Sequence, residues 1–447
     1  MNRLLIAGTN SGCGKTTVTV ALLAALKARG LDISSFKCGP DYIDPMFHRE
    51  IFGVDAHNLD LFFCGPEMLR RIFVSHAGGD FSIIEGVMGY YDGIGSRGEA
   101  STYQVARVTD TPVVLVIDAR GMSVSSGALL EGFLHFRRDS RIRGVIFNGI
   151  SQNLYPMLAE IAGNAGVTSY GFLPRRQELS IKSRYLGLVT AGEIEDIREK
   201  TSVLGTLAES YMDIEGLMAL AKTAGSIQAK LIPIWQGTPL VRIAVSRDKA
   251  FCFLYRENIE LLEGLGCEII YFSPLKDIEL PANIGGLYLC GGYPELYAEE
   301  LSANTSMLRS IRERIKAGLP AIAECGGFMY LNEKLGEYPM AGVVPGRAFE
   351  TSRLQRFGYM TLTASEDNLL CKAGESIRAH EFHYWDSTDC GSGFTAEKAG
   401  KDISYPCVHT TESLYAGFPH LYFPANPAFA EAFVKAAHEA WLGGLPC

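Results

Sequence analysis

Residues 4–17, LLIAGTNSGCGKTT, constrain this chain more than any other stretch. An apolar run enters a glycine-rich loop, and Gly14-Lys15-Thr16 then open a helix. A strand of Leu4–Ala7 delivers the backbone to a tight turn. Small residues there let N–H groups face a polyphosphate, and the new helix aims its positive end at the same anion. Lys15 is placed to reach the β- and γ-phosphates, and the Thr16 hydroxyl to ligate Mg²⁺. The strict pattern G-x-x-x-x-G-K-[ST] is not met, because Thr9 stands where glycine is required and Gly8 is one place early. A loop longer by one residue accommodates this. The competing reading is a glycine-rich strand–helix turn carrying a surface lysine.

With 447 residues the chain is long enough for two or three domains. Hydrophobic residues at 47% and charged residues at 20% describe an ordinary globular protein. The net charge of −9, without runs of like charge, argues against nucleic acid and acidic membranes as partners. Eleven cysteines without C-x-x-C spacing make neither a disulfide framework nor a zinc site. The chain opens directly on a core strand and carries no apolar run long enough to span a bilayer. The expectation is a cytoplasmic protein.

Val18, Leu22, Leu23 and Leu26 share one helical face up to Gly30, so 16–29 reads as a helix. A strand near 33–37 runs into CGPDYIDP, residues 38–45, read as a proline-bounded loop holding Asp41 and Asp44. Carboxylates just past a strand end suit Mg²⁺, although Asp and Pro also build plain solvated turns. Phe81–Ile84 reads as a third strand ending in Glu85, the position of the Mg²⁺-organising acid in phosphate-loop enzymes. Asp92 follows on a glycine-flanked loop. Strands at 112–117 and 144–147 end at Asp118 and Asn148. Asn148 suits base recognition, or a turn, equally well. Apolar strands alternating with helices predict an α/β fold: a phosphate-loop parallel sheet with helices on both faces and ligands at the strand ends. Arg175, Arg176, Lys182 and Arg184 form a basic cluster, either facing an anion or solvated. Residues 193–223 read as helical.

A linker near 227–239 separates a fresh α/β alternation. The expected division is 1–230, a linker at 231–240, and 241–447. In the second half a strand at 286–289 ends in CGGYPE, and 320–330, PAIAECGGFMY, reads as strand, sharp turn and helix with Cys325 at the turn. That is a nucleophile-elbow layout, in which the following helix is expected to lower the thiol pKa. Gly291 and Gly292 supply N–H groups suited to an oxyanion hole. A base must come from elsewhere, with His380, His383, His409 and His420 downstream. His380-Glu-Phe-His383 does not match H-E-x-x-H, so a metal pair is not expected there.

GTNSGCGKTT, KCGPDYIDP, EGVMGYYDG, LPRR, LCGGYPE, AIAECGGFMYL, HEFHYW and HLYF, in this order, resemble the cobyrinate a,c-diamide synthase family over essentially the whole chain. The first half is similar to dethiobiotin synthetase and the second to class I glutamine amidotransferases. The resemblance implies an ATP-binding synthetase domain followed by an amidotransferase domain. Acetate carboxylates of a tetrapyrrole polycarboxylate are then phosphorylated by ATP and amidated with ammonia from glutamine; nickel-sirohydrochlorin or hydrogenobyrinate are alternative acceptors. It also implies site residues. Gly12, Gly14, Lys15, Thr16 and Thr17 would bind ATP; Thr16, Asp41 and Glu85 would hold Mg²⁺; Lys37, Tyr42, Asp44 and Asp92 would meet substrate. Cys325 would be the nucleophile and His420 its base, with Gly291 and Gly292 as the oxyanion hole. Class I amidotransferases carry Glu two residues after this histidine. Tyr422 stands there, so a Cys–His dyad is expected. A homodimer is compatible with the resemblance.

Overall fold

A computed structural model describes residues 1–175 and 197–443. The chain divides into two compact units, Met1–Ile232 and Pro233–Cys447. Arg176, Lys182 and Arg184 of the basic cluster lie outside the described residues.

The first unit runs β1 (Arg3–Gly8), α1 (Lys15–Ala28), β2 (Ile33–Cys38), α2 (Ile43–Phe52), β3 (Asp55–Leu59), α3 (Leu61–His76), β4 (Phe81–Glu85), α4 (Thr102–Val108), β5 (Val113–Asp118), α5 (Ser125–His135), β6 (Ile142–Ile150), α6 (Tyr155–Asn164), β7 (Thr168–Pro174), α7 (Ile197–Tyr211) and α8 (Ile214–Ala221). Its seven strands form one sheet in the order β3-β2-β4-β1-β5-β6-β7, and every pairing is parallel. β1, β4 and β5 are nearly continuous apolar runs because helices cover both faces. The order reverses around β1, so its C-terminal end opens a crevice where the phosphate loop begins.

Three details depart from the sequence reading. The proline-bounded stretch is not all loop: α2 starts at Ile43, which puts Asp44 and Pro45 in its first turn. Proline is tolerated there because its missing N–H would have no helical partner anyway. Strand β3 was also missed, since DAHNL lacks an apolar run; it is an edge strand, and Phe81–Glu85 is the fourth strand, not the third. The predicted helix 193–223 breaks where Asp213 caps α8 by accepting the Gly216 N–H at 2.8 Å.

The second unit contains β8 (Val241–Ser246), β9 (Phe251–Phe253), α9 (Arg256–Gly264), β10 (Cys267–Phe272), β11 (Gly286–Leu289), β12 (Gly291–Gly292), α10 (Ala298–Ala303), α11 (Thr305–Lys316), β13 (Ala321–Glu324), α12 (Gly326–Leu331), β14 (Lys334–Leu335), β15 (Tyr338–Pro339), β16 (Arg347–Ala364), β17 (Ser376–Ser387), β18 (Phe394–Lys398), β19 (Ser404–Cys407), β20 (His409–Thr410), β21 (Leu414–Gly417), β22 (His420–Leu421) and α13 (Pro427–Leu442). A central sheet has the order β10-β8-β11-β13-β21-β20, parallel except at the β20 edge. A second sheet is built on the long β16–β17 hairpin, which also pairs β22.

Arg3 starts β1 but is only 1% exposed. Its guanidinium donates to the carbonyls of Thr109 (3.0 Å), Met1 (3.0 Å), Asp110 (3.2 Å) and Gly225, and to Thr111 Oγ1 (3.2 Å). It therefore ties the turn before β5 and the segment after α8 to the strand that carries the phosphate loop. Arg3→Leu leaves those carbonyls without their donor and is expected to cost about 3 kcal/mol. Urea unfolding of the variant against the parent measures it.

Candidate active sites

The first site is assembled at the C-terminal ends of β1, β2 and β4. Gly14 takes φ 97° at the start of α1, and a Cβ there would lie 2.0 Å from Asn148 Nδ2. Only glycine fits both constraints. Asn148, at the end of β6, donates to the Cys13 carbonyl at 3.0 Å, so its amide steadies the loop itself. Gly12, at φ 81°, gives the loop its other left-handed turn, and Thr17 continues α1 behind Thr16. Lys15 folds over the loop and donates to the carbonyls of Asn10 (3.1 Å) and Met88 (2.5 Å). Burial, then the nearby Lys37, hold its pKa below the usual lysine value, against the pull of Cys13, Glu85 and Asp44.

Glu85 is the hub. It is fully buried at the end of β4, opposite Lys37 in register. Its Oε1 accepts from Thr16 Oγ1 at 2.6 Å and from Lys37 Nζ at 2.8 Å. Lys37 also pairs with Asp44 and lies 3.9 Å from Asp41. Burial works against the Lys37 charge, but Asp44, Glu85 and Asp41 together raise its pKa well above normal. Burial pushes Asp44 up to about 6, with Glu85 adding to it while Lys37 opposes. Burial and Asp44 push Asp41 up to about 7. Asp41 also has a local task, since its Oδ1 accepts the Ile43 (2.9 Å) and Asp44 (3.2 Å) N–H groups at the start of α2. Tyr42, between the two acids, is buried.

Three carboxylates around Lys37, beside the Thr16 hydroxyl, fit a divalent cation by their chemistry. The buried Glu85 Oε2 has no hydrogen-bond partner, which leaves one oxygen of this hub uncommitted. His48, on α2, was not singled out from the sequence. Its ring stands behind Glu85, with Nε2 3.9 Å from that Oε2, and burial holds it neutral with its pKa pushed down to about 3. Asp92 is exposed and accepts the Gly89 N–H at 2.8 Å, closing a turn of its own loop. That loop lies on the phosphate loop, with the Tyr90 N–H donating to the Gly8 carbonyl at 2.8 Å.

The second site is the turn between β13 and α12. Cys325 has φ 47° and ψ −102°, a backbone conformation that costs a non-glycine residue on the order of 1–3 kcal/mol. The turn is held by the Cys325 N–H, which donates to the Gly417 carbonyl at 2.8 Å. A Cβ on Gly326 would lie 3.0 Å from the Gly292 nitrogen, so the elbow abuts the GGYPE loop. His420, on β22, packs against the same loop: a Cβ on Gly291 would come within 2.5 Å of its Cε1.

Glu324, the residue before Cys325, is buried with Oε2 3.7 Å from His420 Nδ1. Its Oε1 accepts the Leu421 N–H at 2.9 Å. Where the sequence reading left His420 without an orienting acid, the structure brings a carboxylate beside it from the strand before the nucleophile. The HEFHYW stretch is strand β17, so its two histidines face opposite sides. His380 pairs with His420 across β17 and β22. His383 Nε2 donates to Glu381 Oε1 at 2.9 Å, and its ring stacks on Phe418 with centroids 3.9 Å apart.

The thiol does not behave as the elbow alone suggested. Burial, then Glu295, Glu381 and Glu324, raise the Cys325 pKa above the usual thiol range; the Gly326 N–H pulls the other way and loses. Burial also pushes Glu295 up to about 7. The resting thiol is thus protonated, and a neighbouring base is required to make it nucleophilic.

Residues 4–186 match the CobQ/CobB/MinD/ParA nucleotide binding domain family, and 242–427 match the CobB/CobQ-like glutamine amidotransferase domain family. Among curated proteins, the cobyrinate a,c-diamide synthase of Clostridium acetobutylicum is 39% identical over 443 residues, covering 97% of this chain and 100% of that one. The protein of that name from Caldanaerobacter subterraneus subsp. tengcongensis is 39% identical over 93% of this chain and 94% of its own. That of Thermoplasma volcanium is 36% identical over 97% and 96%. The chain belongs to the cobyrinate a,c-diamide synthase family. It is a ligase of that family, joining an ATP-using domain to a glutamine amidotransferase domain for glutamine-dependent amidation. Among the described residues, no helix is long and apolar enough to cross a membrane.

Gly291→Ala drives a methyl group into the His420 ring while leaving the distant fold untouched. Glutamate release from glutamine is expected to fall at least about tenfold with little change in melting temperature, because a displaced base loses its geometry. Glutaminase assay beside thermal unfolding checks it.

Proposed function

We propose that this enzyme amidates the a and c acetate carboxylates of cobyrinate through acyl-phosphate intermediates, in cobalamin biosynthesis. Residues 1–230 would form the synthetase half and 241–447 the amidotransferase half, joined by 231–240; the two compact units support this division. The observation that carries the reading is the strained Cys325 elbow, with His420 and Glu324 beside it, in a chain that also carries a phosphate loop ending at a buried Glu85.

At the second site, His420 takes the Cys325 proton as Sγ attacks the side-chain amide carbon of glutamine. The Gly291 and Gly292 N–H groups face the developing oxyanion. His420 then gives its proton to the departing nitrogen, and ammonia leaves. Water, deprotonated by His420, clears the thioester to glutamate. Glu324 steadies the imidazolium that forms between these steps. At the first site, Lys15 and the loop N–H groups of Gly12 and Gly14 hold the ATP phosphates, with Thr17 behind them. Thr16, Glu85 and Asp41 would hold Mg²⁺, which supplies charge neutralisation between ATP and a polyanionic acceptor. Lys37, Tyr42 and Asp44 face the acceptor, and Asp92 shapes the adjoining loop. A substrate carboxylate oxygen attacks the γ-phosphorus, ADP leaves, and ammonia attacks the acyl carbon to expel phosphate.

Two variants separate the halves. Cys325→Ser is expected to lose glutamine-supported synthesis by a factor of at least about 10³ while keeping synthesis from high ammonium. Lys15→Ala is expected to lose synthesis with either nitrogen source. Loss of ammonium-supported synthesis in a folded Cys325→Ser variant would overturn the two-site reading.

Substrate identity is tested by mass spectrometry of ¹⁵N incorporation from amide-labelled glutamine. The panel comprises cobyrinate, hydrogenobyrinate and nickel-sirohydrochlorin, each with ATP. Two labelled nitrogens on cobyrinate are expected; labelling of another member alone replaces cobyrinate with that acceptor. Asp41→Asn and Asp44→Asn are expected to cut this labelling severely and to leave glutamate release intact.

A further inference from the structure

We propose that His48 is the positioning residue of the nucleotide site: a buried imidazole whose Nε2–H orients the Glu85 carboxylate toward a divalent cation. The inference rests on the reading of Glu85 as a cation ligand and deepens it.

Helix α2 presents Asp44 and His48 one turn apart, hence on one face. Beneath that face, β2 and β4 run parallel with Lys37 opposite Glu85 and Ser35 opposite Ile83. Ser35 and Lys37 are two residues apart on β2 and so point to the same side of the sheet. Asp44 meets Lys37, and His48 meets Ser35 one rung below. Each contact of the helix face thus has its own partner on the strand.

His48 is 0% exposed, as is Glu85. Its Nδ1 lies 2.7 Å from Ser35 Oγ. Its Nε2 and Glu85 Oε2 are both buried without a hydrogen-bond partner, and they face each other across 3.9 Å. Two orphaned polar atoms buried side by side are costly. The gap is too short for water to bridge, which needs about 4.6 Å with two bonds of about 2.8 Å. A shift of about 1 Å in the carboxylate closes it to a direct bond.

The chemistry selects the tautomer. An ionised carboxylate only accepts, so Nε2 must carry the proton, and Nδ1 must then accept from the Ser35 hydroxyl. Ser35 thereby locks the ring with its donor aimed at Glu85. Oε1 is already engaged by Thr16 and Lys37. A donor behind Oε2 fixes the rotation of the carboxylate, which is how partners behind a ligating group sharpen a cation site.

Asparagine and glutamine separate this role from mere packing. The glutamine amide nitrogen reaches the place of Nε2, whereas asparagine reaches only that of Nδ1. Mn²⁺, read by electron paramagnetic resonance in the presence of ATP, reports cation affinity without turnover. His48→Asn is expected to weaken Mn²⁺ binding about tenfold or more, and His48→Gln to stay within about threefold of the parent. Ser35→Ala, which frees the ring but keeps it, is expected to fall between them and decides the matter if a His48 variant does not fold. Parental Mn²⁺ affinity in both folded His48→Asn and Ser35→Ala overturns the proposal, as does a folded His48→Gln no better than His48→Asn. Glu85→Gln is the control for the underlying reading: if it binds Mn²⁺ like the parent, Glu85 is not a ligand. If it binds weakly while His48→Asn does not, only the role of His48 falls.

Discussion

One buried ammonium holds the nucleotide site together. Lys37 sits among Asp41, Asp44 and Glu85 at the ends of β2 and β4, where water cannot screen their repulsion. Three carboxylates at such a depth are tolerable only with a cation between them, and even so Asp41 and Asp44 have raised pKa values. The raised values mean that Asp41 and Asp44 hold protons more readily than free carboxylates do, so the one ammonium does not fully offset the three acids around it. The parallel pairing of β2 with β4 sets Lys37 opposite Glu85. Helix α2 then brings Asp44 down onto both, so strand register and helix placement depend on the same ion pairs.

The amidotransferase half solves a different problem. Its candidate nucleophile is held by backbone geometry: Cys325 takes a strained conformation with positive φ at the β13–α12 turn. Burial and three glutamates keep that thiol protonated until a base acts. A helix N-terminus alone does not overcome this setting, so a thiol placed here needs a base to become nucleophilic. The same acidic surroundings, through Glu324, accommodate an imidazolium once the proton has moved. Strand β22 is only two residues long, yet its pairing with β17 and the Glu324–Leu421 bond hold the histidine against Gly291.

Much of this was legible because it is written in contiguous residues. A phosphate loop, a GGYPE loop and a Cys elbow are local devices whose function follows from backbone geometry over about ten residues. Glu85 was legible as an acid ending an apolar strand. The start of α2 was not, because Pro45 reads as a breaker unless the helix is already known to begin two residues earlier. Strand β3 was not, because an edge strand can be polar. Arg3 was not, because the carbonyls that satisfy it come from residues 109, 110 and 225, far along the chain.

Residue order alone was enough for the class of fold, the family, the place of the glycine-rich loop and the strand–turn–helix around Cys325. These depend on residue order and short-range geometry. Tertiary structure alone decided which acids meet Lys37, that Asn148 steadies the phosphate loop, that Glu324 stands by His420, and that His48 faces Glu85. It also set the direction of the Cys325 pKa. Each of these is a distance between residues remote in the chain, or a degree of burial. Neither has a local signature, since both arise only when strands pair and helices cover them.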